Sequence, residues 1–262
     1  MKKFGLIGYP LGHSFSEKYF TEKFTREKLT DCIYQLFPIQ SLSDLPKLLE
    51  NEKDLCGLNV TIPHKIGVMF YLDETDEVAK EIDAVNCIKV THHHSIKSLF
   101  SGELCKFNPH KLKLIGYNTD AYGFEKSLKP LLKRHHKKAL ILGNGGAARA
   151  VKYVLEKLNI DYKFVSRRAA KGMYDYKDFS KKTMDDYQII INTTPLGTFP
   201  HTNQCADIPY EYLTDKHLLY DLIYNPEESL FLKKGKENGA KIKNGAEMLQ
   251  LQADKSWEIW NS

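Results

Sequence analysis

Ala139-Leu140-Ile141-Leu142-Gly143-Asn144-Gly145-Gly146-Ala147-Ala148 is the run of residues from which the fold is read. Four apolar residues make a short buried strand. A glycine turn follows, and Ala147–Leu158 then reads as a helix. Gly143 permits a sharp turn, Gly145 lets the backbone approach a pyrophosphate, and small Ala148 lets the helix pack closely on the strand. The helix start offers free N–H groups and a partial positive charge. Strand, turn and helix in that order make a phosphate cradle, although an ordinary tight turn of an α/β protein would share the pattern.

The next strand bears on the cofactor. Asp161–Val165 ends in Ser166-Arg167-Arg168. An NAD site usually places an acidic residue here for the ribose 2′-hydroxyl. Two guanidinium groups and a hydroxyl suit a 2′-phosphate instead, because planar donors match phosphate oxygens. The sequence therefore predicts NADP. Two solvated surface arginines, or looser selectivity with one arginine engaged, are the alternatives.

The chain has 262 residues, enough for two modest domains or one large one. With 42% apolar and 27% charged residues it falls among globular proteins rather than disordered or membrane ones. No apolar run is long enough to span a bilayer, and Met1–Gly8 reads as a strand rather than a signal peptide, so cytoplasmic residence is expected. The net charge of +5 favours anionic substrates. The basic run Lys133–Lys138 comes without an aromatic platform or recognition motif, which argues against nucleic acid. Cys32, Cys56, Cys87, Cys105 and Cys205 show no zinc or dithiol spacing and are expected to be reduced and buried. His92–His94 reads as a hairpin or loop rather than a metal site, and no metal is expected.

Along the first half, strands are expected at Lys3–Gly8, Ile33–Pro38, Gly57–Ile62, Cys87–Thr91 and Lys113–Gly116. Helices are expected at Ser16–Lys28, from a cap at Ser43 to about Leu49, and at Ile66–Leu72 and Asp76–Ile82. In the second half Ala139–Leu142, Tyr162–Val165, Ile189–Asn192 and Leu218–Asp221 are four near-continuous apolar runs, as expected of parallel strands covered on both faces. Ala246–Trp260 is an amphipathic helix. The alternation predicts an α/β fold, with a domain boundary near residues 115–125.

Several polar groups are not needed by such a fold. Ser14 and Ser16 follow the first strand, where both could donate to one carboxylate, or Ser16 could cap a helix. Asn59 and Thr61 share one face of a strand, and Lys65 follows a turn at Pro63. Asn86 sits at another strand. Asp120, after Gly116-Tyr117-Asn118-Thr119, could cap a helix.

Taken together, these segments resemble the shikimate dehydrogenase family almost end to end. The match is carried by Asn59–Lys65, Ala84-Val85-Asn86, Gly116–Asp120 with Gly123, and Gly143–Ala148. Asn192-Thr193-Thr194 with Gly197, Asp221–Pro226, and Asn244-Gly245 with Met248, Leu249, Gln252 and Ala253 add to it. The resemblance implies an N-terminal α/β substrate domain and a Rossmann-type NADP-binding domain with the active-site cleft between them. The first would span residues 1–117, completed by the helix 246–262, and the second residues 118–245. It implies NADPH-dependent reduction of 3-dehydroshikimate to shikimate, in the pathway to aromatic amino acids. Lys65 and Asp120 would be the catalytic pair. Ser14, Ser16 and Tyr224 would hold the substrate carboxylate, and Thr61, Asn86 and Gln252 the ring hydroxyls. Gly143, Asn144, Gly145, Gly146, Ala147, Ser166, Arg167, Arg168, Leu222 and Gly245 would line the cofactor, with Glu77 near the nicotinamide end. A monomer and a homodimer are both compatible with the sequence.

The chain also departs from the family pattern. Glu17 stands where proline often follows the second serine, and Phe20-Thr21 where a His-Asn pair is common. Asp83 replaces the glycine before Ala84, Ser166 and Arg168 replace Asn and Thr around Arg167, and Thr198 stands where methionine is common. The segment between Asn86 and Gly116 is longer than usual.

Overall fold

A computed structural model describes residues 1–12, 14–92 and 112–262, with the backbone alone at His92. His93, His94 and Cys105 lie outside these residues. The chain divides into two compact units, Met1–Asn118 with Ser256–Ser262, and Thr119–Lys255.

In the first unit β1 (Lys2–Gly8) leads through α1 (Phe15–Arg26) to β2 (Cys32–Pro38), and α2 (Leu45–Asn51) to β3 (Leu55–Val60). β4 (Glu74–Thr75), α3 (Glu77–Ile82), β5 (Cys87–His92) and β6 (Leu112–Tyr117) complete it. The six strands form one sheet in the order β2-β1-β3-β5-β6-β4. β1 runs parallel to β2 and β3, whereas β5 is antiparallel to both β3 and β6. One cluster packs Ile7, Leu45, Leu58, Val60, Val68 and Val85 together. Another set is aromatic: Phe4 lies against Phe24, Trp257 and Trp260, and Phe20 stacks on Tyr34 with centroids 4.7 Å apart.

The second unit contains α4 (Thr119–Leu128), β7 (Lys138–Leu142), α5 (Gly146–Lys157), β8 (Asp161–Val165), α6 (Lys181–Asp186) and β9 (Ile189–Asn192). β10 (Leu218–Asp221), α7 (Leu230–Glu237) and β11 (Lys241–Lys243) follow, with α8 (Ala246–Asn261) up to Lys255, its residues from Ser256 onward belonging to the first unit. Its sheet is parallel throughout, in the order β11-β10-β9-β7-β8. β7, β9 and β10 are almost wholly buried, as their uninterrupted apolar sequences require. β7 lies between β8, which follows it, and β9, which comes later. That change of direction is where doubly wound sheets open a crevice for ligands.

Several local expectations are corrected. Ser14, not Ser16, caps α1, and it accepts from the Glu17 amide at 3.4 Å. Ser41, not Ser43, caps a 3₁₀ turn at Leu42–Asp44 that leads into α2. Ile66–Leu72 is not an α-helix, since only a 3₁₀ segment forms, at Gly67–Tyr71. β3 ends at Val60, so Thr61 has left the strand, although its amide still bonds the Ile7 carbonyl. Asp120 lies inside the first turn of α4, which starts at Thr119, and is not its cap. Of the described cysteines only Cys87 is buried; Cys32, Cys56 and Cys205 are partly exposed. Asp83 takes a left-handed conformation at φ 55°, which glycine adopts most readily and a short polar side chain tolerates.

Candidate functional site

The strand ends of the first unit gather one group of polar side chains. β1 and β3 are parallel and finish at the same edge, and antiparallel β5 begins there. Ser14 follows β1, Thr61 follows β3, and Asn86 precedes β5. The register is fixed by backbone bonds: Val60 donates to the Asn86 carbonyl at 2.8 Å and Asn86 donates to the Tyr117 carbonyl at 3.1 Å. Lys65 is tied to the same edge, because its carbonyl accepts from the Val85 amide at 2.8 Å. His64 beside it is buried, with Nε2 2.7 Å from the Ile39 carbonyl, so the turn carrying Lys65 is anchored on both sides. Ser14, Ser16, Thr61, Lys65 and Asn86 therefore share one edge of one sheet. Thr61 and Lys65 are half-buried; Asn86 is buried.

Asn59 is buried among them with no direct claim on a ligand. Its Nδ2 donates to Ser256 Oγ at 3.0 Å and to the Asn86 carbonyl at 3.4 Å, while Oδ1 accepts from the Tyr34 hydroxyl at 2.9 Å. Burial holds the Tyr34 phenol well above its ordinary pKa, so it stays protonated.

In the second unit the glycine turn leaves β7 as the sequence predicts. Gly143 has φ +103°, and a Cβ there would stand 2.8 Å from Thr193 Oγ1. Its amide bonds the Val165 carbonyl at 2.9 Å, which brings Ser166–Arg168 beside the turn. Ser166 Oγ accepts from the Arg168 amide at 3.3 Å, and both arginines are exposed. α5 starts from Gly145, and no side chain caps it. A side chain added at Gly145 would meet nothing within 4 Å. Open backbone amides, the positive end of a three-turn helix and two exposed guanidinium groups fit a dinucleotide carrying a 2′-phosphate.

Leu222 leaves β10 at the same sheet edge, and the Gly245 amide bonds the Ile223 carbonyl at 3.0 Å, so these two predicted cofactor residues lie together. Tyr224 is exposed at the tip of that loop. Glu77 belongs to the first unit, in the first turn of α3, exposed and paired with Lys80 at 3.0 Å.

Asp120 and Gln252 meet through two crossing helices. The Met248 carbonyl of α8 lies 2.4 Å from where a Cβ would stand on Gly123 of α4, so only glycine allows this approach. Thr119 Oγ1 donates to Gln252 Oε1 at 3.4 Å, and Asp120, the next residue, is buried.

One residue of consequence was given no role from sequence, although its segment carries part of the resemblance. Asp221 is wholly buried at the end of β10. It accepts from Asn192 Nδ2 at 3.0 Å, from the Ile223 amide at 3.1 Å and from the Ser229 hydroxyl. Burial pushes its carboxyl up to about 6, while those three donors pull the other way. Its acidity together with three donors from separate segments identifies it, and sequence spacing cannot display that. Among the described residues no group of three or more histidine, cysteine or acidic side chains could hold a metal. No helix among them is long and apolar enough to cross a membrane.

Comparison with known proteins adds to this geometry. Residues 6–88 match the family model described as the shikimate dehydrogenase substrate binding domain. A shikimate dehydrogenase (NADP(+)) of Methanococcus maripaludis is 37% identical, over 99% of this chain and 91% of that protein. A crystal structure of a shikimate dehydrogenase in complex with NADP+ superposes with a TM-score of 0.81 at 32% identity, covering 99% of this chain and 89% of that one. The shikimate dehydrogenase of Aquifex aeolicus gives a TM-score of 0.79 at 32% identity, covering 99% and 92%.

Proposed function

The chain belongs to the shikimate dehydrogenase family, and from that premise we propose that Lys65 and Asp120 carry its reaction, the reversible NADPH-dependent reduction of 3-dehydroshikimate to shikimate. The observation that carries this reading is similarity at 37% identity running over nearly the whole of both chains. The glycine turn, the uncapped start of α5, Ser166–Arg168, Leu222 and Gly245 would hold NADPH, with Glu77 near its nicotinamide end. When bound, the cofactor supplies the hydride.

The chain's own residues do the rest. As C3 is reduced, negative charge builds on its oxygen. A cation placed there stabilises the transition state more than the ketone. The Lys65 ammonium supplies that charge and gives a proton to the oxygen, and in the reverse direction the amine takes it back. Asp120 orients the lysine ammonium and shares the hydrogen bonds of the hydroxyl formed. Ser14, Ser16 and Tyr224 present neutral donors to the substrate carboxylate, which binds it without setting another cation beside Lys65. Thr61, Asn86 and Gln252 orient the ring hydroxyls. The domain division implied by the family, with the substrate domain first and the NADP domain second, and cytoplasmic residence belong to the same reading. Four free cysteines among the described residues agree with a reducing compartment.

The test is absorbance at the nicotinamide band with shikimate and NADP. Shikimate-dependent NADP reduction is expected, with slower rates when quinate replaces shikimate or NAD replaces NADP. Protein that binds NADP and leaves shikimate unoxidised would contradict the reading. Lys65→Ala should lower kcat by on the order of 10²-fold or more. Near wild-type turnover in that variant would remove Lys65 from its role.

A further inference from the structure

All five strands of the second unit are parallel, so their C-terminal ends share one edge, in the order β11-β10-β9-β7-β8. The glycine turn leaves β7, and Ser166, Arg167 and Arg168 leave β8 on one side of it. The loops after β9 and β10 leave on the other side. A dinucleotide with its pyrophosphate on the turn and its 2′-phosphate at the β8 end would therefore reach the β9 and β10 loops with its other half, the nicotinamide half.

Buried side chains tie those two loops together. Asp221 and Asn192 are wholly buried and Ser229 is nearly so, which leaves them no direct contact with a ligand. Asp221 Oδ1 accepts from the Ile223 amide at 3.1 Å, closing a turn around Leu222, and from Asn192 Nδ2 at 3.0 Å. Oδ2 accepts from the Ser229 hydroxyl at the start of α7. Asn192 Oδ1 accepts from the Thr194 amide at 3.0 Å and from the Thr194 hydroxyl at 2.6 Å. A backbone amide can only donate, so Oδ1 faces Thr194 and Nδ2 is left for the carboxylate. Backbone bonds reinforce the tie. The Leu222 amide donates to the Asn192 carbonyl at 3.0 Å, the Phe199 amide to the Asn225 carbonyl at 3.1 Å, and the Gly245 amide to the Ile223 carbonyl at 3.0 Å. Thr194, Leu222 and Gly245 thus hang on one brace with Asp221 at its centre.

We propose that Asp221, acting through Asn192, is a positioning residue for the nicotinamide half of NADP: it fixes the loops that receive that half, and the half held by the glycine turn and the arginines does not depend on it. The proposal rests on the assignment of the cofactor residues made above. It separates Asp221 from ordinary core support. General loosening of the second unit would weaken its hold on every part of the dinucleotide. Loss of this brace is felt only beyond the pyrophosphate, because the turn after β7 and the arginines after β8 take no bond from it.

The experiment is a binding titration of the full chain with two ligands, NADP and adenosine 2′,5′-bisphosphate. The second carries the adenine and the 2′-phosphate and ends before the nicotinamide half. In Asp221→Ala the Kd for NADP should rise roughly tenfold, while the Kd for the bisphosphate stays within about twofold. Asp221→Asn keeps an oxygen toward Asn192 and Ile223 and can donate to Ser229 Oγ, so it should bring NADP back to within about threefold of the native protein. Asn192→Ala should match Asp221→Ala, and the double variant should be no more than about twofold weaker than either, since the two residues act through one contact. Equal weakening of both ligands in Asp221→Ala, or an unmoved NADP Kd, overturns the proposal. Should Asp221→Ala not fold, Ser229→Ala decides, because it removes one donor to the carboxylate at the cost of a helix cap. It should weaken NADP about threefold and leave the bisphosphate unmoved, and unchanged NADP binding there overturns the proposal equally. Unaltered protein that binds NADP and leaves shikimate unoxidised overturns the functional reading alone. Unaltered protein that binds neither ligand overturns both.

Discussion

Asp221 shows at the scale of one residue how a buried carboxylate can hold a loop together. Its two oxygens join the end of β9 through Asn192, the start of α7 through Ser229 and the loop amide of Ile223. Tyr224 is the next residue. Since the folded carboxyl titrates near 6 and the free side chain near 3.8, the folded protein holds the proton more tightly between those values. Stability from this group is therefore present below about pH 4 and falls as pH rises through about 6, by on the order of 3 kcal/mol. Asp221→Asn keeps the shape and removes the charge. Urea unfolding at about pH 4.5 and pH 7 should show the variant gaining on the native protein as pH rises; parallel changes in the two would refute the assignment. Arg167 acts through charge at the surface. Arg167→Ala should weaken NADPH by roughly tenfold and NADH much less, in direct binding titrations; equal losses would show that it does not read the 2′-phosphate. The residues proposed for the chemistry that carry local signals stand where the amino-acid sequence puts them: Lys65 after its turn, the glycine cradle after β7, and the arginines after β8. The Tyr34–Asn59 and Asp221 networks are not legible there. Their members come from separate strands, and no spacing along the chain relates Tyr34 to Asn59 or Asn192 to Ser229.

Helices and strands are legible where each carries its own periodicity. β7, α5, β9 and β10 stand close to where apolar patterning puts them, because each buries a continuous face in its own unit, and α8 does so with apolar residues divided between the two units. The failures are equally physical. β4 has two residues and β11 three, too short for any alternation, and both exist because a parallel neighbour supplies their hydrogen bonds. The 3₁₀ segment Gly67–Tyr71 carries the apolar content of a helix but leaves Phe70 at 91% exposure, so its side chains do not share one buried stripe. The crossing of α4 and α8 is where an element most directly sets the chemistry. Gly123→Ala would drive a methyl into the Met248 carbonyl, which is backbone and cannot yield cheaply. The variant should lose about 1–3 kcal/mol in urea unfolding, and kcat should fall with it because Asp120 and Gln252 ride on the two helices. Unchanged stability and turnover would mean that the helices separate without consequence.

For the molecule as a whole, the two units have distinct cores and distinct sheets, one mixed and one wholly parallel. The first unit is discontinuous in sequence. Trp260 donates Nε1–H to the Ile88 carbonyl at 3.0 Å, stacks on Phe4 and lies against Gly57, where a Cβ would come within 2.3 Å of its ring. Trp260→Ala should therefore destabilise the first unit by about 3–5 kcal/mol, although it alters a residue at the opposite end of the chain from the strands it supports. Hydrogen exchange should localise the loss to β1, β3 and β5 rather than to the second unit, and uniform loosening would contradict this account.

That arrangement has a consequence for biosynthesis. The strands of the first unit leave the ribosome early, but the aromatic residues that seal their sheet are translated only after every residue of the second unit. Through that interval Phe4, Phe20 and Tyr34 are denied their indole cover. The nascent chain must carry a sticky, half-finished sheet until Trp257 and Trp260 emerge, which makes it a natural client for chaperones and makes the unit that carries Lys65 the later of the two to be completed.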